Sequence, residues 1–137
     1  MTEPQDKALS NLMDLARQAA ANAYAPYSHF SVGAALELTN GAIVTGTNVE
    51  NVSYGLTICA ERSALVQAVS RFGPGIRVRA VAVANLNGAA SPPCGACRQV
   101  LAEFTESEAP VAFPSAAGPR VMPFAELMPL ATELKLK

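Results

Sequence analysis

Two short stretches carry all three cysteines of the chain, and what lies between them restricts the fold. The first, TICAERSAL at 57–65, places Cys59, Glu61 and Arg62 where an apolar helical pattern begins. The second, SPPCGACRQV at 91–100, places Cys94 and Cys97 at the start of another. Between them RVRAVAVAN, at 77–85, alternates in the manner of a strand. In a strand–helix–strand–helix unit both helix N-termini can face the same end of a sheet. That arrangement would bring three thiols and one carboxylate to a single point.

The remaining chain supplies the elements such a unit needs. Residues 5–22 place Leu9, Leu12, Met13, Ala16, Ala19 and Ala20 at helical spacing, and Pro26 biases Ala25 away from a helix. Asn40-Gly41 between the apolar runs FSVGAALEL and AIVTGTNV predicts a two-residue hairpin, with antiparallel strands at 30–39 and 42–48. A helix is expected over 59–72, with Ala64, Leu65, Ala68, Val69 and Phe72 inward, ended by Gly73-Pro74-Gly75. A third helix begins near Pro93 and carries Val100, Leu101 and Phe104. PVAFP reads as a short strand, SAAGPR as a turn, and PFAELMPLA as a final short helix, with room for one more strand. This order predicts a partly parallel sheet that opens with an antiparallel hairpin and carries helices packed against it. At 137 residues, half of them hydrophobic, the chain is expected to form one domain over 1–137, with a core that needs no disulfides.

Charge excludes some functions. Only 15% of residues are charged and the formal net charge is −1, with no basic run. A nucleic-acid surface needs clustered Lys and Arg, so no nucleic-acid partner is expected. No apolar run approaches the ~18 residues of a membrane span, and MTEPQDKALS lacks the pattern of a secretory signal, so no membrane partner is expected. An odd cysteine count without such a signal fits the reducing cytoplasm, where clustered thiols more often bind metal than pair.

Cys94-Gly95-Ala96-Cys97 alone has three readings: a redox pair, half of a zinc site, or two core cysteines. Cys59 at a second helix start favours zinc, because the positive end of a helix favours thiolate and three soft sulfurs suit Zn²⁺. A structural zinc site would need a fourth ligand, His29 or Glu61; a catalytic one keeps a position open. Glu61 would then be placed to move protons. Taken alone, it reads first as a solvated acid in the first turn of a helix; between a ligand and an arginine, the catalytic reading is the better one.

The pairing of C-A-E with P-C-x-x-C about 35 residues later resembles the zinc-dependent cytidine deaminases. YSHFSVGAAL, GTNVENVSYGLTICAERSAL and PCGACRQVLAEF extend the likeness over most of the chain, and are similar to the short, homotetrameric, three-cysteine class. The resemblance implies a three-layer α/β/α fold with a five-stranded mixed sheet. It implies one Zn²⁺ per chain on Cys59, Cys94 and Cys97, with Glu61 shuttling protons. Asn48 and Glu50 would bind the ribose hydroxyl, Phe30 would line the base site, and Tyr54 would reach a neighbouring subunit's site. Backbone groups near Ala60 and at Pro92 would read the pyrimidine edge; Pro92 replaces the family's serine but keeps its carbonyl. Arg62, three residues after Cys59, would offset the excess charge of three thiolates. The implied activity is hydrolysis of cytidine and 2′-deoxycytidine to the uridines and ammonia, a pyrimidine salvage reaction in the cytoplasm.

The likeness departs at one place. The family's C-terminal helix carries a Phe three residues after Leu-Leu-Pro, where this chain has Thr132 after Leu127-Met128-Pro129. Phe124 is a candidate substitute. Two other functions stay open on the residues: deamination of a different aminated ring, and a non-catalytic, zinc-stabilised binding module. Asn48 and Glu50 favour a free nucleoside over the first, and Glu61 with no obvious fourth ligand disfavours the second.

Overall fold

A computed structural model describes residues 2–132. A central sheet has the order β2-β1-β3-β4-β5. Its strands are β1 (Val32–Leu38), β2 (Ile43–Thr47), β3 (Val78–Asn85), β4 (Pro110–Ser115) and β5 (Gly118–Pro123). β3 and β4 are parallel; the other neighbours are antiparallel. Helix α1 (Glu3–Ala20) covers one face. Helices α2 (Ala60–Phe72), α3 (Gly95–Ala102) and α4 (Phe124–Leu127) cover the other.

Strand periodicity divides the core between those faces. Leu36, Leu38, Val81, Val83, Val111 and Phe113 pack under α2, α3 and α4. Ala35, Ala80, Ala82, Ala84 and Ala112, the alternate positions, meet Leu9, Leu12 and Ala16 of α1. Alanines there let α1 sit close to the sheet: a Cβ on Gly33 would lie 1.9 Å from the Ala16 carbonyl oxygen. α2 presses on the opposite face in the same way, where a Cβ on Gly46 would lie 2.4 Å from the Ala64 amide nitrogen.

The departures from expectation are local. α1 starts two residues early because Thr2 and Gln5 form a capping box and Pro4 sits in the first turn. The first hairpin has a three-residue loop: Leu38 bonds Ala42, and only Gly41 of the loop has positive φ, +90°. A register shift at Glu37/Leu38 and a bond from the Thr39 amide to Arg77 hold that loop toward β3. The segment 115–120 holds both a turn and the start of β5, the additional strand. Phe72 is 41% exposed rather than inward, with the Arg71 guanidinium 5.1 Å from its ring centre. A single 3₁₀ turn at Tyr54–Leu56 had no periodic signal.

β2 and β3 are both antiparallel to β1, so they run in the same direction. Each is followed by a helix, α2 and α3. Their N-termini therefore meet at one end of the sheet.

Candidate metal centre

Cys59 and Cys94 are the N-cap residues of α2 and α3, and Cys97 lies in the first turn of α3. The three Sγ atoms lie within 4.8 Å of one another, and Cys59 and Cys94 are separated by 3.9 Å. Thiolates on a tetrahedral zinc, at Zn–S distances of about 2.3 Å, stand about 3.8 Å apart, so the set fits Zn²⁺. Among the described residues no fourth His, Cys, Asp or Glu joins the group. His29 is exposed and outside it, which leaves a closed four-ligand site without support.

The electrostatics favour thiolate at one ligand first. Hydrogen bonding with Cys97, then with Arg62, lowers the Cys59 thiol to about 5 against the opposing effect of burial. Cys97 is pushed far up by its bond to Cys59 and by its own burial. Arg62 Nη2 donates to Cys59 Sγ at 3.5 Å and to the Thr57 carbonyl at 3.4 Å. Its buried Nε has no partner among the described residues. Glu61 is 4% exposed. Burial pushes its carboxyl up to about 7, and the neighbouring Cys59 charge acts in the same direction. A carboxyl at that value exchanges protons near neutral pH in either direction.

Cys59 and Cys94 open onto a cavity of about 350 Å³, within the range of small-molecule sites, while Cys97 is fully buried and does not line it. Its lining brings together Phe30, Asn48, Glu50, Tyr54, Cys59, Ala60, Glu61, Pro92 and Cys94, residues spread over 65 positions of sequence. Ala60 opens α2, and the first amide groups of a helix have no partner within it. Tyr54 lies on the rim and is 62% exposed.

Asn48 and Glu50 each support the cavity wall. Asn48 Nδ2 donates to the Phe30 carbonyl at 2.7 Å, and its Oδ1 accepts from the Val32 amide at 2.9 Å. Glu50 accepts from the Tyr27 amide at 3.0 Å, the Ser28 amide at 3.1 Å and the Ser28 hydroxyl. The Ser28 hydroxyl is the main reason the Glu50 carboxyl is held below its ordinary value. Ser28, Thr57, Val83 and Ser91 also line the cavity, and none was singled out from the sequence. Short polar residues in turns carry no periodic signal; only YSHF and the serine of SPPC, already within motif stretches, pointed to their neighbourhood. Phe124 is 5% exposed in the core beneath the sheet and does not line this chain's cavity; Thr132 is exposed.

Residues 6–112 match the family model described as the cytidine and deoxycytidylate deaminase zinc-binding region. A cytidine deaminase of Mycobacterium tuberculosis is 56% identical over 93 residues, 68% of each chain. One from Halalkalibacterium halodurans is 50% identical over 101 residues, 73% of this chain and 74% of that one. Among solved structures, the M. tuberculosis cytidine deaminase superposes with TM-score 0.77 at 45% identity, covering 91% of this chain and 97% of its own. The Burkholderia pseudomallei cytidine deaminase gives 0.80 at 40% identity, covering 96% and 100%.

Proposed function

The chain belongs to the cytidine and deoxycytidylate deaminase family, and from that premise we propose that it hydrolyses cytidine and 2′-deoxycytidine to the corresponding uridines and ammonia. The observation that carries this reading is a buried carboxyl, Glu61, that lines one cavity with Cys59 and Cys94 of a three-thiol cluster, with no fourth protein ligand in the group among the described residues.

Cys59, Cys94 and Cys97 would hold one Zn²⁺, which when bound makes water nucleophilic near neutral pH. Water adds at C4 of the cytosine ring and the amino group leaves as ammonia. Glu61 takes the proton that water loses, passes it to N3, and later helps protonate the leaving nitrogen; a group poised near pH 7 can perform both transfers. Arg62 donates to Cys59 Sγ and offsets the net negative charge of three thiolates around a divalent cation. Phe30 forms the wall for the base, the amide at Ala60 and the Pro92 carbonyl read the pyrimidine edge, and Asn48 and Glu50 receive the sugar hydroxyl. A sugar contact of this kind suits a free nucleoside, whichever hydrogen or hydroxyl stands at its 2′ carbon.

The working form is a homotetramer in a reducing compartment, the cytoplasm, where the reaction recovers pyrimidines from nucleosides. Val52 is 80% exposed, Leu56 68% and Tyr54 62%, all in the segment that leads from Glu50 to Cys59. A second chain covering these side chains would also close the cavity rim, and Tyr54 would extend into that neighbour's site.

Loss of cytidine absorbance, measured for the zinc-loaded wild type and Glu61→Gln, tests the assignment. Glu61→Gln should keep its zinc and lose at least ~10²-fold in kcat, the usual scale for a positioned acid–base group. Wild-type protein inactive on cytidine would remove the reading, and a variant within a few-fold of wild type would remove the role of Glu61. Sedimentation of the active form should give four chains; a fully active monomer would remove the tetramer.

A further inference from the structure

Phe30 enters the cavity from a segment without regular structure. His29, the residue before it, has φ +58°, a left-handed conformation uncommon outside glycine. The Asn87 carboxamide holds this backbone from 58 and 56 residues away in sequence. Its Nδ2 donates to the His29 carbonyl at 2.9 Å, and its Oδ1 accepts from the Ser31 amide at 3.1 Å. Those groups belong to the two peptide planes on either side of the Phe30 Cα. Each plane is held by a second bond: the Phe30 amide to Ser28 Oγ at 3.0 Å, and the Phe30 carbonyl from Asn48 Nδ2 at 2.7 Å. Two fixed planes determine φ and ψ of the residue between them, and so the direction in which its ring leaves the backbone.

Asn87 is itself tied, through Asn85, to a second residue of the cavity lining. Asn85 Oδ1 accepts from the amides of Asn87 and Ala89 at 3.0 and 3.3 Å, and its Nδ2 donates to the Ala89 carbonyl and Ser91 Oγ, both at 2.8 Å. Ser91 lines the cavity with Phe30, whereas Asn87 does not. The loop after β3 thus links Ser91 of the lining to the backbone on either side of Phe30.

We propose that Asn87 is a positioning residue for substrate binding: its carboxamide sets the Phe30 ring against the nucleoside base. The proposal rests on the reading of this cavity as the nucleoside site. A ring held in place binds ground state and transition state alike, so its loss raises KM and leaves kcat.

A double-mutant cycle on zinc-loaded enzyme with cytidine tests this. Asn87→Ala should raise KM about tenfold with kcat within about a factor of two, the scale of two exposed hydrogen bonds. Phe30→Ala should raise KM by itself. Adding Asn87→Ala to Phe30→Ala should change KM by less than about twofold, because no ring remains to be positioned. Asn87→Asp keeps the side-chain shape and the acceptor for Ser31 but loses the donor to His29. It should raise KM in the same way, and it replaces Asn87→Ala in the cycle if that variant folds poorly. Asn87 variants with wild-type KM, or with their full effect on top of Phe30→Ala, would overturn the positioning role while leaving the nucleoside site intact. A wild-type KM for Phe30→Ala would overturn both.

Discussion

Alanine at position 46 would place a methyl carbon 2.4 Å from the Ala64 amide nitrogen, 2.7 Å from the Ala60 carbonyl oxygen and 2.9 Å from Ala64 Cα. All three are backbone atoms of α2, so no side-chain rotation relieves the overlap. Ordinary contact begins near 3.4 Å, and α2 must retreat from the sheet by about 1 Å. Overpacking of this size costs ~1–3 kcal/mol, or roughly 3–10 °C in melting temperature for a chain of this length. The consequence reaches the candidate metal centre because Cys59 and Glu61 move with α2, whereas Cys94 and Cys97 stay with α3. Metal sites tolerate ligand displacements of only ~0.2 Å, and a 1 Å misplacement of a reacting group can cost ~10²-fold in rate. Gly46→Ala should therefore melt lower, release zinc faster to a chromophoric chelator, and lose on the order of 10²-fold in kcat. Gly75→Ala, where no atom lies within 4 Å of the added carbon, is the control and should stay within ~0.5 kcal/mol of wild type. If Gly46→Ala melts lower but keeps wild-type kcat and zinc retention, the sheet and α2 do not share the displacement with the metal centre, and the reasoning fails.

Two further outcomes follow from charge. Arg62→Gln should lower kcat and zinc retention by roughly 10–100-fold, the range for groups that support metal ligands; unchanged values for both would exclude charge compensation. Glu50 is held below its ordinary 4.5, chiefly by the Ser28 hydroxyl, so the folded chain binds this proton less readily than the unfolded one. The stability it contributes is complete above pH 4.5 and is lost as pH falls through the depressed folded value. Melting temperatures across that acid range should fall less steeply in Glu50→Gln than in wild type, and parallel curves would count against the pairing with Ser28.

The convergence of Cys59, Cys94 and Cys97 was legible because it depends on regular elements. Helical spacing after each cysteine and alternation between them imply parallel strands joined by helices, which place both helix starts at one sheet end. The family resemblance pointed to cavity residues that no spacing singles out, among them Phe30 and Asn48. What stayed hidden depends on contacts distant in sequence. Gly46 reads only as a weak point in a strand until α2 is laid against it. Asn85 and Asn87 look like loop polarity, and nothing local connects them to a ring more than fifty residues earlier. Phe72 fits the apolar helical period but is the last residue of α2, where Gly73 ends the helix, and its ring is left partly exposed. The Asn40-Gly41 signal located the hairpin correctly, but its type was decided by the pull of β3 on Thr39.

The 3.9 Å between Cys59 and Cys94 Sγ also bears on how this protein ages. A disulfide needs these atoms about 2 Å closer, an adjustment within reach of side-chain rotation at two helix N-caps. Zinc, when bound, occupies both sulfurs and blocks that bond. A chain stripped by a chelator presents Cys59 as a ready thiolate beside its neighbour. Peroxide would convert that thiolate to a sulfenic acid, which the Cys94 thiol attacks with release of water. Thiol titration should then count three free groups in a reduced, chelated sample and one after peroxide. Once closed, the bridge would remove two of the three candidate metal ligands, so added zinc alone would not restore activity until a reductant opens it. Oxidation would thus turn metal loss into a state that zinc alone does not reverse, and the working lifetime would depend on how quickly a vacated site is refilled or reduced.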